Sequence, residues 1–133
     1  MSEETYGGRT RAQLREELIR RLESGTIEQG RGQLRKGDAM CCLAVACDVF
    51  DPSKWNGDDY GTGKSAEAYC LPPDVKNAFG FYYRNGAQPD HSKDHLALQN
   101  DNGKTFPEIA AELRTGKYWT PLPTQGLQPE GGR

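Results

Sequence analysis

The feature of the sequence that most constrains the fold is an almost uninterrupted apolar run over residues 40–50. Ten of these eleven residues are apolar, and Asp48 is the exception. A helix that is apolar on every side leaves no face for water and belongs in the interior of a domain. Ala and Cys outnumber β-branched residues in the run, which favours a buried central helix over 39–50, with a buried strand as the alternative. We expect Asp38 to cap this helix, and Asp51 with Pro52 to end it.

Three other segments predict helices from the residues at their ends. An amphipathic helix over 11–23 follows a Thr-x-x-Gln capping box and stops at a Ser-Gly pair. A short helix over 73–79 has proline in its first turn and glycine directly past its end. A second capping box starts a helix over 105–114. In addition, residues 95–99 predict a helical turn, and residues 81–88, around an Asn-Gly pair, predict a small hairpin.

The composition indicates one modest core. Leu, Ile, Val and Phe together make up only 21 of the 133 residues, while the formal net charge is only −2. The chain is therefore not swollen by charge, as a disordered chain would be. We predict a small single α+β domain over 10–119, mostly helical, with a buried central helix, about four helices and a short hairpin. A flexible N-terminus over 1–9 and a disordered, Pro- and Gly-rich tail over 120–133 flank it.

Charge is distributed unevenly along this domain. Residues 9–36 carry eight basic and four acidic side chains, a net charge of +4. Residues 37–74 carry two basic and seven acidic side chains, a net charge of −5. Either the two segments neutralise each other within the fold, or the basic segment offers a surface that binds anions.

Residues of metal-binding or catalytic type occur without the spacing that such chemistry needs. The metal-binding types are Cys41, Cys42, Cys47, Cys70, His91 and His95. Cys41, Cys42 and Cys47 lie in an apolar run rather than on the tight turn of a zinc site, so we expect free, buried thiols, no metal and no cofactor. A Gly-Lys-Ser triplet lacks the earlier glycine of a phosphate loop, and no Ser-His-Asp arrangement emerges. The sequence therefore favours a non-catalytic protein.

The strongest candidate binding segment is the basic, glycine-rich stretch before the central helix. Glycines allow backbone N–H groups to surround an anion, and a helix N-terminus adds to that effect. The candidate residues here are Gly30, Arg31, Gly32, Arg35 and Lys36. A second candidate group, which could stack a base, consists of Tyr82, Tyr83 and Arg84. Structural glycine turns and a half-buried aromatic core explain the same residues.

The order of several short blocks resembles a family of small proteins of phages, prophages and actinobacterial genomes. The pattern is QGxGxLR, then CCLGVxCD, then LPxxV, then LAxLND followed by SFxEIA. In this chain the blocks occupy residues 29–35, 41–48, 71–75, 96–101 and 105–110, with Ala44 and Gln99 departing from the pattern. The resemblance implies a viral accessory gene and carries no mechanism with it.

From these observations we hypothesise a phage-encoded accessory protein that counteracts host defence by sequestering a nucleotide-type signal. The partner would be a phosphate-bearing small molecule. An inhibitor that binds a host protein and a small enzyme acting on nucleotides are the alternatives, and a homodimer stays open. A pI near 5.7 argues against nucleic acid as the partner. The apolar run is too short to span a membrane, and residues 1–11 lack the apolar core of a signal peptide, so we expect a cytoplasmic protein, in the host cell if phage-encoded.

Overall fold

The computed structural model describes residues 5–6, 8–30, 35–57, 59–60, 71–87 and 95–121. Within them lie five α-helices: α1 Arg11–Ser24, α2 Cys42–Phe50, α3 Pro73–Phe79, α4 Leu96–Asp101 and α5 Phe106–Arg114. The described strands form three antiparallel hairpins of two residues per strand: β1 Thr5–Tyr6 with β2 Arg9–Thr10, β3 Arg35–Lys36 with β4 Ala39–Met40, and β5 Trp55–Asn56 with β6 Asp59–Tyr60. The predicted small, mostly helical α+β fold is confirmed.

Helix α1 begins and ends where local signals place it. The Thr10 hydroxyl accepts a hydrogen bond from the backbone N–H of Gln13 at 3.2 Å, and the Gln13 side chain accepts one from the backbone N–H of Thr10 at 2.8 Å. Gly25 ends the helix in the left-handed conformation. The buried face of α1, with Leu14 and Leu18 at its centre, packs against α5, α2 and α3. This helix therefore organises the domain.

Helix α2 is buried as predicted, but it begins later than predicted. Residues 42–47 and Val49 are all buried, and the backbone N–H of Asp51 closes the last turn on the carbonyl of Cys47. The expectation that Asp38 caps the helix is wrong, since Cys41 occupies the N-cap position. Asp38 instead lies in the turn between β3 and β4, because residues 39–40 pair with residues 35–36 before the helix starts.

The predicted hairpin over 81–88 does not form within the described part of that segment. Phe81 pairs with Trp119 instead, and the carbonyl of Arg84 accepts a hydrogen bond from the backbone N–H of Leu71 at 2.8 Å. The carbonyl of Gly86 accepts one from Leu96 at 3.3 Å, at the start of α4. Residues 83–86 therefore form a turn, but Phe81, Arg84 and Gly86 pair with distant parts of the chain rather than with each other.

Residues outside the predicted domain boundaries make contacts with the domain at both ends. Within the segment predicted to be flexible, β1 pairs with β2, and Arg9 donates hydrogen bonds to the carbonyls of Val49 and Phe50 at 2.6 and 3.0 Å. At the other end, the backbone N–H of Thr120 donates to the carbonyl of Gly80 at 2.8 Å. Residues 1–4 and 122–133 lie outside the described residues.

One contiguous core joins the helices. It contains the leucines of α1, nearly all of α2, and apolar residues of α3, α4 and α5, together with Tyr118 and Trp119. Among the described helices, none is long and apolar enough to cross a bilayer.

Candidate functional site

The glycine-rich segment is only partly described, because Arg31 and Gly32 lie outside the described residues. The backbone N–H of Gly30 donates to the carbonyl of Met40 at 2.7 Å. A Cβ at Gly30 would lie 3.2 Å from atoms of Ala39, so the glycine allows a close approach to β4. The position therefore has a structural reason to be glycine.

The basic residues that follow lie on β3. Arg35 pairs with Met40, and its guanidinium lies 5.0 Å from the centre of the Trp55 ring. Lys36 is exposed. Arg35 is thus part of a cation–π contact inside the fold, whereas Lys36 faces solvent.

The start of α2, predicted to favour an anion, is occupied by side chains of the protein itself. The backbone N–H of Cys42 donates to Oδ1 of Asn100 at 3.2 Å. Asn100 is fully buried, and Cys41 and Cys42 are nearly so. The N–H group of Cys42, the first residue of α2, is therefore already paired within the core.

The aromatic candidates lie against a different part of the fold from Arg35. The backbone N–H of Tyr82 donates to the carbonyl of Tyr118 at 3.4 Å, and Arg84 donates from Nε to the carbonyl of Leu71 at 2.6 Å. Tyr83 is 47% exposed. Arg84 thus donates to a backbone carbonyl, and both Tyr83 and Arg84 are exposed to solvent.

Much of the uneven charge is neutralised inside the fold. Glu17 forms ion pairs with Arg9 at 2.9 Å and with Arg21 at 2.8 Å, and Arg21 pairs with Asp48 at 2.6 Å. Asp48 also accepts a hydrogen bond from Trp55 Nε1 at 3.0 Å. These contacts join the basic segment 9–36 to the acidic segment 37–74, as expected if the two segments neutralise each other within the fold.

A cleft of about 480 Å³ opens between α1 and α5. Three charged side chains and an apolar floor line it: Ala12, Arg15, Glu16, Ile19, Leu113, Arg114, Gly116 and Trp119. Concave sites with an apolar floor and a few polar groups are typical of ligand binding. This cleft is the candidate site.

Arg15 is the most unusual residue of the cleft because it is a cation with only 7% of its surface exposed. It donates from Nε to the carbonyl of Phe79 at 2.7 Å and from Nη2 to the carbonyl of Thr120 at 2.8 Å. Its guanidinium lies 4.6 Å from the centre of the Trp119 ring. Among the described residues, no carboxylate forms an ion pair with it. Burial, and next the charge of Arg11, lower the pKa of Arg15 to about 10, so it carries its charge at neutral pH.

The end of α3 holds this guanidinium in place. Arg11 donates from Nε to the carbonyl of Ala78 at 3.2 Å, beside the Arg15 contact to Phe79. Gly80, which ends α3 with a φ of 80°, leaves the room that both arginines need. A Cβ there would lie 2.6 Å from Nη2 of Arg15. The glycine therefore serves both the turn and the position of Arg15.

Arg114, across the cleft, is neutralised. It donates from Nε and Nη2 to the two carboxylate oxygens of Glu23, each at 3.0 Å, and its Nη1 lies 3.7 Å from Glu16. Its bidentate pair raises the pKa of Arg114 and lowers that of Glu23. Arg15 is thus the cation of the cleft whose charge is not balanced by a carboxylate of the described residues.

Arg15 is not among the residues predicted from the sequence, although α1 carries a signal for it. Arg20 and Arg21 each follow a glutamate by four residues, which places an ion-pair partner on the same face of the helix. Arg15 follows Arg11 by four residues and precedes Ile19 by four, so it has no acidic neighbour at helical spacing. An arginine on the apolar face without such a partner has to find oxygen atoms elsewhere.

Metal-ligating residues do not assemble in the part of the chain that is described. His95 instead caps α4, since its Nδ1 accepts a hydrogen bond from the backbone N–H of Leu98 at 3.1 Å. Cys70 and His91 lie outside the described residues. Comparison with family models, with curated proteins and with solved structures found no match.

Proposed function

We propose that the protein is a non-catalytic binding protein that holds a small anionic ligand in the cleft between α1 and α5, with Arg15 as its anchor. The observation that carries the proposal is the buried guanidinium of Arg15, which lines the cleft and has backbone carbonyls but no carboxylate as partners among the described residues. A buried charge is costly unless it is paired, and an anion in the cleft would pair it.

Binding rather than turnover is proposed because of the side chains that line the cleft. The described lining residues include no Ser, Cys, His or Asp. Its one carboxylate, Glu16, forms an ion pair with Arg20 at 2.9 Å. The described lining of this cleft can bind an anion, but it offers no nucleophile and no unpaired general base for a reaction.

The biological role within this proposal is that of a phage accessory protein that withdraws a phosphate-bearing signal from a host defence. Its support is the resemblance of the sequence blocks to phage and prophage proteins, together with the anion-binding character of the cleft. The ligand class is the same as the one expected from the sequence, but the site moves from the glycine-rich segment to α1.

Calorimetric titration of the purified protein with inorganic phosphate, AMP, cyclic AMP, ATP and phenylacetate tests the proposal. We expect at least one of these anions to bind, and Arg15→Met to weaken it by roughly tenfold or more, since one charge-assisted hydrogen bond contributes about 1.5–3 kcal/mol. Ala12→Phe, which fills the cleft and leaves Arg15 in place, should weaken the same anion and guards against a folding defect in Arg15→Met.

Lys36→Met is the matched control. It removes the same charge from an exposed residue of β3, within the segment that the sequence favoured. If Lys36→Met abolishes binding and Arg15→Met does not, the ligand binds at the glycine-rich segment. If none of the five anions binds the wild-type protein, the proposed function is wrong.

A further inference from the structure

The charged side chains around the cleft can balance one further negative charge. Arg114 is held by both oxygens of Glu23 and lies 3.7 Å from Glu16. Glu16 itself lines the cleft. A ligand with two negative charges would therefore place one of them on Arg15 and the other near a carboxylate, without a second cation to receive it.

The hydrogen bonds of Arg15 also restrict the ligand. Nε and Nη2 are the two nitrogens with which arginine makes a side-on bidentate contact to a carboxylate or a phosphate. Both already donate to carbonyl oxygens, of Phe79 and Thr120. Nη1 has no hydrogen-bond partner among the described residues, and Arg15 lines the cleft. Arg15 can thus offer Nη1 to one oxygen of an anion, but its side-on fork is already occupied.

The floor of the cleft is apolar. Ile19, Leu113 and Trp119 form it, and each of them belongs to the hydrophobic core. A second phosphate on this floor would lose its water without gaining a partner, whereas an uncharged ligand body would not.

We infer that the ligand is a monoanion with an apolar or flat body, of the kind that a phosphodiester or an organic carboxylate provides, and that Glu16 excludes dianions. This inference rests on the proposed function and narrows the class of ligand. The shared chemistry is one negatively charged oxygen group on a body that is otherwise uncharged.

The test compares anions that share an adenosine group but differ in charge. Cyclic AMP carries one negative charge on a phosphodiester, AMP carries close to two, and ATP carries more. We expect cyclic AMP to bind at least tenfold more tightly than AMP in calorimetric titrations at one fixed ionic strength, and ATP to bind most weakly. Phenylacetate distinguishes a carboxylate from a phosphodiester as the preferred monoanion.

A variant tests the role of Glu16 directly. Glu16→Gln removes the negative charge from the cleft, and we expect it to reduce the preference for cyclic AMP over AMP by threefold or more. Glu17→Gln is the matched control, because Glu17 is the neighbouring carboxylate that pairs with Arg9 and Arg21 and does not line the cleft. The preference of the Glu17→Gln variant for cyclic AMP over AMP should equal that of the wild-type protein.

The outcomes separate the inference from the proposed function. If AMP or ATP binds more tightly than both monoanions and Arg15→Met abolishes that binding, the monoanion inference is overturned while the binding function stands. The same holds if Glu16→Gln leaves the preference unchanged. If no anion binds, both fail.

Discussion

The side-chain amide of Asn100 donates from Nδ2 to the carbonyl of Gly30 at 2.7 Å and so joins residues that are 70 positions apart. Oδ1 of the same side chain accepts hydrogen bonds from Gln29 Nε2 at 2.8 Å and from the backbone N–H of Cys42 at 3.2 Å. One fully buried amide therefore connects α4, the segment before β3 and the start of α2.

Asn100→Asp should destabilise the protein by roughly 3 kcal/mol or more in urea unfolding at pH 7. The substitution replaces the Nδ2 donor by a charged oxygen that faces the carbonyl of Gly30. Protonation restores a neutral side chain that can donate, so the loss relative to wild type should shrink as the pH is lowered. The exposed Asn102→Asp is the control and should change stability by less than about 0.5 kcal/mol. A loss that is independent of pH would contradict this assignment.

Gly80→Ala should cost more stability than Gly25→Ala, although both glycines end helices with positive φ, of 80° and 72°. At Gly25 a Cβ meets nothing within 4 Å, so alanine pays only the left-handed conformation, about 1–2 kcal/mol. At Gly80 the Cβ would also lie 2.6 Å from Nη2 of Arg15. Thermal unfolding gives the difference. Gly80→Ala should also weaken whichever anion binds in the cleft, and Gly25→Ala should not.

The thiols of α2 and its N-cap should be unreactive toward a disulfide reagent at pH 8 in the native protein. Burial raises the pKa of Cys41 to about 11 and raises the pKa values of Cys42 and Cys47, so the reactive thiolate is scarce and shielded. Cys70→Ser removes the one cysteine outside the described residues. In that variant we expect no fast-reacting thiol until the protein is unfolded in guanidinium. A rapid stoichiometric reaction would show that α2 is accessible.

Leu43→Ala should cost about 2–5 kcal/mol of unfolding free energy, because Leu43 is 1% exposed in the middle of the core. Leu98→Ala is the matched control, since Leu98 is 39% exposed on α4. Its cost should be less than about 1 kcal/mol. Similar denaturation midpoints for the two variants would place Leu43 outside the core.

Glu112 should stabilise the fold at neutral pH and lose that effect in acid. The hydroxyl of Tyr118 donates to its carboxylate at 2.7 Å and, with nearby lysines, lowers the pKa of Glu112 below its usual 4.5. A carboxyl with a lowered pKa contributes stability above its unfolded pKa, and the contribution disappears as the pH falls through the folded pKa. Glu112→Gln should therefore be less stable than wild type at pH 7 and nearly equal at pH 2. The exposed Glu28→Gln, the charge-matched control, should follow wild type at both pH values.

Elements with strong local signals were predictable, and elements made by distant partners were not. The capping boxes at Thr10 and Thr105 and the proline before α3 each act within four residues, so the sequence places those helices nearly to the residue. The start of α2 was misplaced because β3 and β4 compete with it for residues 39–40. Phe81 pairs with Trp119 rather than with a local strand, and no local pattern reports such a choice.

The candidate site was harder to predict for the same reason. A stretch rich in glycines and basic residues predicts an anion site. In the fold, however, the close approach to Ala39 explains Gly30, and the cation–π contact with Trp55 explains Arg35. Arg15 receives its partners from α3 and from the segment after α5. The lack of an acidic residue at helical spacing marks Arg15 as unusual, while only the fold shows where its charge lies.

The packing of α1 against α5 also has a consequence for the chain during its synthesis. Glu23 and Arg114, which tie the two helices together, are 91 positions apart. At typical rates of chain elongation, roughly 5–18 s pass between the two residues. During that interval the leucines of the first helix to be made lack the partner that later covers them. During synthesis α5 can therefore cover α1 only after the other described helices have been made, and a nascent chain that stalls before α5 would leave part of the apolar face of α1 exposed.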